Sequence, residues 1–489
     1  MRVTGIGLLF LLIASLGSGA NAQSPVRLFS ITDAKSPFAE RSSIAAVREY
    51  TISVNSGEAK LASSLELPIA DGKVYRAVMS GSELRGVDDV TWLGKINEKG
   101  FEGDVILTFR KGHVAGLIYT PEAVFEIVPR GALHILVELD QSLFPECGGA
   151  IESEDAATQN KPGGLSLATS TDSGDRIDVL VVYTTATKNF LGGDAQAQTL
   201  SQNAIDATNT AYINSRVRQR VRMVDAKEWV YTETTSASTD LSNLRNDATV
   251  QGLRNSANAD LVAMIGEIAG ACGVGYLMGS NPAGNPNNGY TVTARSCAVG
   301  NLSFAHELGH NMGSQHNPEN GSGATLPYGY GHYVNGVFRT VMSYSNPCTN
   351  GCTRRAYFSN PGILYQGFPT GLDNTRDNVR AMNNTADAIA NYRYSGSSIT
   401  LVNFANGGIL PRGIARPVTW KTNNLGGNVR IEISLNEGLT WSTVVASTPN
   451  DGSETVAVWG TASRRAWLRV VSLDSPAVSD TSTGSVYIR

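Results

Sequence analysis

The sequence predicts a multidomain chain in which a β-rich region, an α/β region and an all-β region follow one another along 489 residues. Three observations carry that prediction. Short apolar runs separated by turn residues recur from residue 23 to about residue 150, as in a small β domain. From residue 176, nearly continuous apolar runs alternate with stretches of helical spacing, as in buried strands with helices packed on them. After residue 398 the pattern returns to short, regularly spaced strands bounded by Asn, Gly and Asp, as in a β-sandwich. A chain of this length holds two or three cores, because a single core stops growing well before it.

The N-terminal region begins with a processing signal. Met1-Arg2, the apolar run Ile6 to Leu16 and then Ala20-Asn21-Ala22 read as a signal peptide over residues 1–22. The run is too short to span a bilayer, and no later segment is long and apolar enough to do so. Export follows, to the outside of the cell or alternatively the periplasm, with no membrane span and a monomer as the expected state. Beyond the signal, Val74 to Val78, Val105 to Phe109, Leu117 to Tyr119 and Leu133 to Val137 are strands. A Ser-, Thr-, Ala- and Gly-rich stretch from Glu152 to about Asp175 then reads as an exposed linker open to proteolysis. Residues 23–175 are therefore expected to form a removable pro-domain.

In the α/β region, Ile177 to Tyr183 is a strand buried on both faces, and Leu200, Ala204, Ala207 and Ala211 mark a long helix packed on a sheet. Val217, Gln219, Val221 and Met223 alternate with Arg218, Arg220 and Arg222, a half-buried strand with a solvated basic face. Thr239 to Asn255 follows as one helix, and Asp260 to Ile265, Gly275 to Met278 and Tyr290 to Ala294 as strands. A second key helix covers about Leu302 to Met312. Val379, Met382, Ala386, Ile389 and Tyr392 place a closing helix over Arg376 to Tyr394, so this region spans residues 176–395. In residues 398–489 the expected strands are Ile399 to Phe404, Val418 to Trp420, Val429 to Leu435, Trp441 to Val445, Thr455 to Trp459 and Ala466 to Val471.

The formal net charge is −4, and nothing is strongly basic, which argues against a nucleic-acid partner. The five cysteines are Cys147, Cys272, Cys297, Cys348 and Cys352, and an odd count in an exported chain leaves one thiol over. Cys348 and Cys352 are close enough to close a small loop. Cys272 and Cys297 bracket a Gly-, Asn- and Pro-rich excursion that a disulfide can pin. Cys147 is then the odd one out.

Chemistry concentrates in His306-Glu307-Leu308-Gly309-His310-Asn311-Met312-Gly313-Ser314-Gln315-His316. On a helix, positions i and i+4 share a face, so His306 and His310 can aim both imidazoles at one ion. Glu307 can reach a water on that ion without being a ligand. Gly313 permits φ > 0 and a sharp reversal, after which His316 can supply a third nitrogen. Three protein ligands and a water make the open coordination of catalytic zinc, whereas structural zinc is closed by four protein ligands. The bland alternative is a helix with solvated histidines and a cap glycine.

Every fixed position of H-E-x-x-H-x-x-G-x-x-H is present, and the chain thereby resembles the metzincin zinc metalloproteases. The pattern is most similar to reprolysin/adamalysin-like bacterial secreted peptidases, with a serralysin-like Met-turn. The resemblance implies an α/β metzincin catalytic domain with a mixed five-stranded sheet and an active-site helix. It implies that Met342, in Arg339-Thr340-Val341-Met342-Ser343-Tyr344, forms an apolar floor beneath the zinc histidines, with ordinary core packing as the alternative. Serralysins and astacins have a Tyr two residues after that Met, which implies that Tyr344 stabilises the oxyanion unless it only packs. Adamalysins have Asp directly after the third His, and this chain has Asn317 instead.

Phe144-Pro145-Glu146-Cys147-Gly148-Gly149 ends the pro-domain. A thiolate ligates zinc strongly, so Cys147 can fill the fourth position in a latent form. This resembles the cysteine-switch pro-segments of adamalysin-like and matrix metalloproteases, although only the Pro-x-Cys-Gly core is shared; a merely unpaired thiol is the alternative. His113 and His134 fall in the pro-domain, and His332 reads as a loop residue. The C-terminal sandwich looks like the fibronectin- or Ig-like modules of secreted bacterial proteases.

The implied function is that of a secreted zinc metalloendopeptidase made as a zymogen, using one catalytic Zn2+, with Ca2+ as a possible second ion. Its partners are protein or peptide substrates and its own pro-segment as inhibitor. Glu307 acts as general base on a zinc-activated water and then delivers the proton to the leaving amine. The substrate strand is expected to add to the sheet edge near Gly273 to Met278. A binding or adhesion protein worked by the sandwich is the competing class. An intact Glu307 argues against it, because a silent site has no use for a general base.

Overall fold

The computed structural model describes residues 24–152, 176–393 and 396–489, apart from residues 34, 70, 71, 87, 439, 477, 483 and 484. The expected signal peptide, most of the expected linker and Tyr394 lie outside the described residues.

The N-terminal region is one ten-stranded sheet, antiparallel except where Val26–Arg27 pairs in parallel with Ser64–Pro68. Alternate side chains of a strand point to opposite faces. In Phe101–Arg110, Val105, Leu107 and Phe109 therefore enter a core with Trp92, Ile127 and Leu136. Ile106 faces the other way and joins Leu117, Val128, Ile135 and Val137 in a core continuous with that of the α/β region.

The α/β region is built on a six-stranded sheet. Its order is Ala150–Ile151, Gly273–Tyr276, Tyr290–Ala294, Leu261–Gly266, Arg176–Thr184 and Arg220–Trp229. All neighbours are parallel except Gly273–Tyr276 against Tyr290–Ala294, so five strands follow the linker and the sheet is mixed. The sixth strand differs from the expectation. Ala150–Ile151 lies before the linker and sits in parallel on the free edge, with Ala150 opposite Gly275 and Ile151 opposite Tyr276.

The long helix Asp194–Ser215 also differs from a helix packed on one sheet, for it is buried between two. Leu200, Ala204, Ala207 and Ala211 are its apolar stripe. Thr199, Asn203 and Asp206, at helical spacing on another face, meet the N-terminal sheet. Asp206 Oδ2 accepts from the Thr91 and Thr108 hydroxyls, each at 2.6 Å, and Arg85 Nη1 is 3.3 Å from Oδ1. Asn203 donates to the Thr108 hydroxyl at 3.0 Å, and Thr199 donates to the Arg110 carbonyl at 3.1 Å. This polar stripe is hydrogen-bonded to the N-terminal sheet.

Two further expectations need correction. The helix expected over Thr239 to Asn255 is two helices, Ala237–Asn246 and Ala248–Ser256. Asp247 is extended between them and its carboxylate accepts from Val250 N at 2.9 Å, an N-cap that starts the second helix afresh. The arginine-bearing strand runs over Arg220–Trp229, and its basic face is only partly solvated. Arg222 grips the buried Asp178 through two bonds of 2.6 and 2.7 Å, and Arg220 donates to the Val217 carbonyl at 2.7 Å, while Arg218 is exposed. The closing helix is Asn378–Ile389, capped by Asp377 onto Arg380 N at 3.0 Å.

The C-terminal region consists of a three-stranded and a six-stranded sheet. Ile399, Val418, Trp420, Ile431, Leu468 and Val470 from both belong to one core. The strand expected at Trp441 to Val445 is Ser442–Pro449. No helix among the described residues is long and apolar enough to cross a membrane.

Candidate metal centre

The motif helix is Ser303–Asn311. It ends at Met312, and Gly313 takes φ +84°. A side chain there would be strained, and its Cβ would also stand 2.9 Å from Thr325. After this reversal His316 returns to the helix face that carries His306 and His310. His316 Nε2 lies 3.2 Å from His306 Nε2 and 3.1 Å from His310 Nε2. All three histidines are buried.

Backbone carbonyls fix the tautomers. His306 Nδ1 donates to Val341 O at 2.8 Å and His310 Nδ1 donates to Ser314 O at 2.9 Å. A carbonyl can only accept, so Nε2 of these two neutral rings carries a bare lone pair. Burial keeps the rings neutral: it lowers His306, takes His310 to about 4 and takes His316 to about 2. Converging buried lone pairs suit a cation. Tetrahedral ligands 2.0–2.1 Å from an ion stand roughly 3.3 Å apart, close to the observed spacing. The residues present therefore fit a divalent metal of the kind that imidazole favours.

Cys147 completes the group. Its Sγ lies 3.9 Å from His310 Nε2 and 3.6 Å from Glu307 Oε2, and the four ligand atoms fall within 4.8 Å of one another. Burial and the neighbouring Glu307 carboxylate hold its thiol above the usual range. A bound cation acts in the opposite sense, since it favours the thiolate. Backbone bonds hold the segment around it: Gly148 N donates to Gly273 O at 2.8 Å, Cys272 N to Glu146 O at 3.1 Å and Leu277 N to Ile151 O at 2.9 Å. A Cβ at Gly148 would stand 2.7 Å from Val274, so this position needs glycine to lie so close to the edge.

Glu307 is fully buried, its Oε1 has no hydrogen-bond partner, and burial raises its carboxyl to about 8. It fits against the sheet edge because that edge lacks side chains. A Cβ at Gly273 would stand 2.5 Å from Glu307 Oε1, and one at Gly275 would stand 3.3 Å from Oε2. Sequence reasoning missed this pair, although two glycines at strand spacing are its visible trace.

Met342 is fully buried beneath the helix, where its Sδ would stand 2.5 Å from a Cβ at Gly309. The Tyr344 ring lies tilted against His316, with centroids 4.2 Å apart, and its hydroxyl donates to the Cys147 carbonyl at 2.8 Å. Asn317 has a local use: its Oδ1 accepts from Tyr344 N at 3.0 Å, fixing that tyrosine beside the histidines. The disulfides are Cys272–Cys297 and Cys348–Cys352, and Cys147 is free. His332 lies outside the metal group, buried with its amide donating to the Thr340 hydroxyl at 2.9 Å. His113 and His134 pair in the N-terminal sheet, 6.0 Å between centroids. Sequence reasoning also passed over Glu146, Ser345 and Arg354, which with Arg339 gather beside the centre from separate segments.

Residues 173–359 match the reprolysin-type model of metallo-peptidase family M12. The chain is 30% identical over 326 residues to a peptidyl-Asp metalloendopeptidase of Stenotrophomonas maltophilia (strain R551-3), covering 64% of this chain and 76% of that one. Its counterpart from strain K279a is 31% identical over 306 residues, covering 60% of this chain and 71% of the relative. A peptidyl-Asp metalloendopeptidase of Xanthomonas campestris pv. campestris is 28% identical over 420 residues, covering 80% and 98%.

Proposed function

The chain belongs to metallo-peptidase family M12 and is a metzincin-like metalloendopeptidase; from that premise we propose that it is a secreted zinc enzyme, made as a latent zymogen, that cuts protein substrates with Glu307 as general base. The observation that carries the reading is the convergence of three buried Nε2 atoms beside an unpartnered carboxylate. His306, His310 and His316 would hold the zinc, which when bound would supply Lewis-acid chemistry toward the scissile carbonyl and the attacking water. Glu307 takes the proton of the attacking water and returns it to the leaving amine. Tyr344, once its hydroxyl is freed from the Cys147 carbonyl, donates to the developing oxyanion. Met342 packs beneath the ligands. The substrate backbone pairs with the Gly273 to Met278 edge, which Ala150–Ile151 covers in the latent chain. The names of the relatives add an expected preference for cutting beside aspartate.

In this reading residues 1–22 direct export, residues 23–175 form the pro-domain with Cys147 as fourth ligand, and residues 398–489 form an appended fibronectin- or Ig-like module. The direct test is casein cleavage by the activated enzyme with metal analysis of the same sample. About one zinc per chain, and loss of cleavage on chelation that added zinc restores, are expected. An active chain without zinc contradicts the reading.

Pro-domain docking is expected to depend on pH through Glu126. This carboxyl is buried against Gly300, where a Cβ would stand 2.6 Å from its Oε2, and burial raises it to about 8 against the opposing pull of Arg295. Below the ordinary carboxylate range both docked and separated forms hold the proton, and the full docking stability is present. As pH rises the separated form ionises first, so docking weakens until the docked carboxyl ionises at about 8. Gel filtration of linker-cleaved chain should show more separation at pH 8 than at pH 5, and Glu126→Gln should flatten that difference.

A further inference from the structure

Beside the metal centre two guanidinium groups are buried together. Arg339 and Arg354 are each 2% exposed. Backbone carbonyls hold them in place: Arg339 Nη1 donates to Ser343 O at 2.9 Å, and Arg354 donates to Asn301 O at 2.9 Å and Ser343 O at 3.1 Å. Carbonyls orient a guanidinium but do not neutralise it. Nε of each arginine is buried without a partner. Among the described residues, the carboxylate within ion-pair reach of both is Glu146, at 4.0 Å from Arg339 and 3.9 Å from Arg354. Its other oxygen accepts from Ser345 N at 2.7 Å and from the Ser345 hydroxyl.

Glu146 immediately precedes Cys147, so its side chain is one residue from the group at the metal centre. It also precedes the linker and departs with the pro-domain. Two guanidinium groups that are buried in the uncleaved chain then lose their counterion, and a poorly solvated charge without a partner is unfavourable.

We propose that Arg339, Arg354 and Ser345 form the subsite that takes an acidic side chain of the substrate next to the scissile bond, and that Glu146 occupies it as a surrogate in the latent chain. The proposal rests on the metalloendopeptidase reading and deepens it. An aspartate or glutamate of the substrate restores the pairing that Glu146 provided. A neutral side chain leaves buried donors unpaired, and a site of that kind rejects it strongly. Specificity and latency thus use the same three residues.

The test compares peptides identical except for Asp, Glu, Asn or Ala at one position, cut by enzyme activated from the full-length chain. The Asp or Glu peptide is expected to be cut with a kcat/KM at least about 100-fold above the Asn peptide. The Asp-to-Glu ratio reports which side-chain length fits. Arg354→Met is expected to bring the acidic-to-Asn ratio to within about fivefold of unity, with zinc content as the check on folding. Glu146→Gln alters only the segment that leaves, and is expected to raise the basal activity of uncleaved chain at least about tenfold. If Arg354→Met does not fold, that second variant decides. Equal cutting of Asp and Asn peptides, or an unchanged Glu146→Gln chain, overturns the subsite while the endopeptidase reading stands. A zinc-loaded enzyme that cuts none of the peptides, nor casein, overturns the endopeptidase reading itself.

Discussion

Glu307→Gln is expected to lower peptide-bond cleavage by about a hundred- to ten-thousand-fold while leaving zinc content unchanged. The amide has the volume of the carboxyl, so it still fits the space that Gly273 and Gly275 leave open. It cannot accept the proton of the attacking water. His306 keeps its Nδ1 partner Val341 O and His310 keeps Ser314 O, so the ligand geometry survives the change. Steady-state cleavage of a quenched peptide, with metal analysis on both proteins, measures the two effects separately. Retained activity would remove Glu307 from its role. Lost activity with lost zinc would mean that the side chain supports the metal site instead.

The second large effect is expected at Cys147. Cys147→Ser should raise the basal activity of full-length, uncleaved chain by at least about a hundredfold, a shift that needs about 2.7 kcal/mol. Its Sγ completes the ligand group with the three histidines, and a serine hydroxyl is a far weaker zinc ligand than a thiolate. The neighbouring backbone bonds at Gly273 and Leu277 remain, so the variant segment should stay near the edge while yielding more readily to substrate. Peptide cleavage followed alongside a gel that shows an intact linker reads this directly. An unchanged basal rate would mean that those backbone bonds and Glu146 keep the chain latent without the thiol.

What the sequence reveals here depends on whether the determinant is local. His306, His310 and His316 are legible because helix periodicity and one glycine turn set their relation within eleven residues. Strands such as Arg176–Thr184 are legible because burial on both faces leaves a continuous apolar run. The polar stripe Thr199, Asn203 and Asp206 is not, because a side chain satisfied by another sheet has the same composition as one satisfied by water. Ala150–Ile151 is two residues long and owes its strand geometry to the edge it lies on. Arg339, Arg354 and Glu146 are remote in sequence, and nothing at any one position announces the others. The break at Asp247 is an intermediate case: an N-cap aspartate was present to be read, but the apolar spacing ran straight through it.

The strand Phe101–Arg110, which sends Leu107 into one core and Ile106 into another, bears on when the enzyme switches on. Ile106, Leu117, Val128, Ile135 and Val137 are covered by the body of the protease. Burial at about 25 cal/mol per Å² over several such side chains makes a tight association without any covalent tether. On the proposed zymogen reading, a cut between residues 152 and 176 would yield a nicked complex, still closed, in place of a free protease. The delay before activity would then be set by the lifetime of that complex, and digestion of the detached piece would make the step one-way.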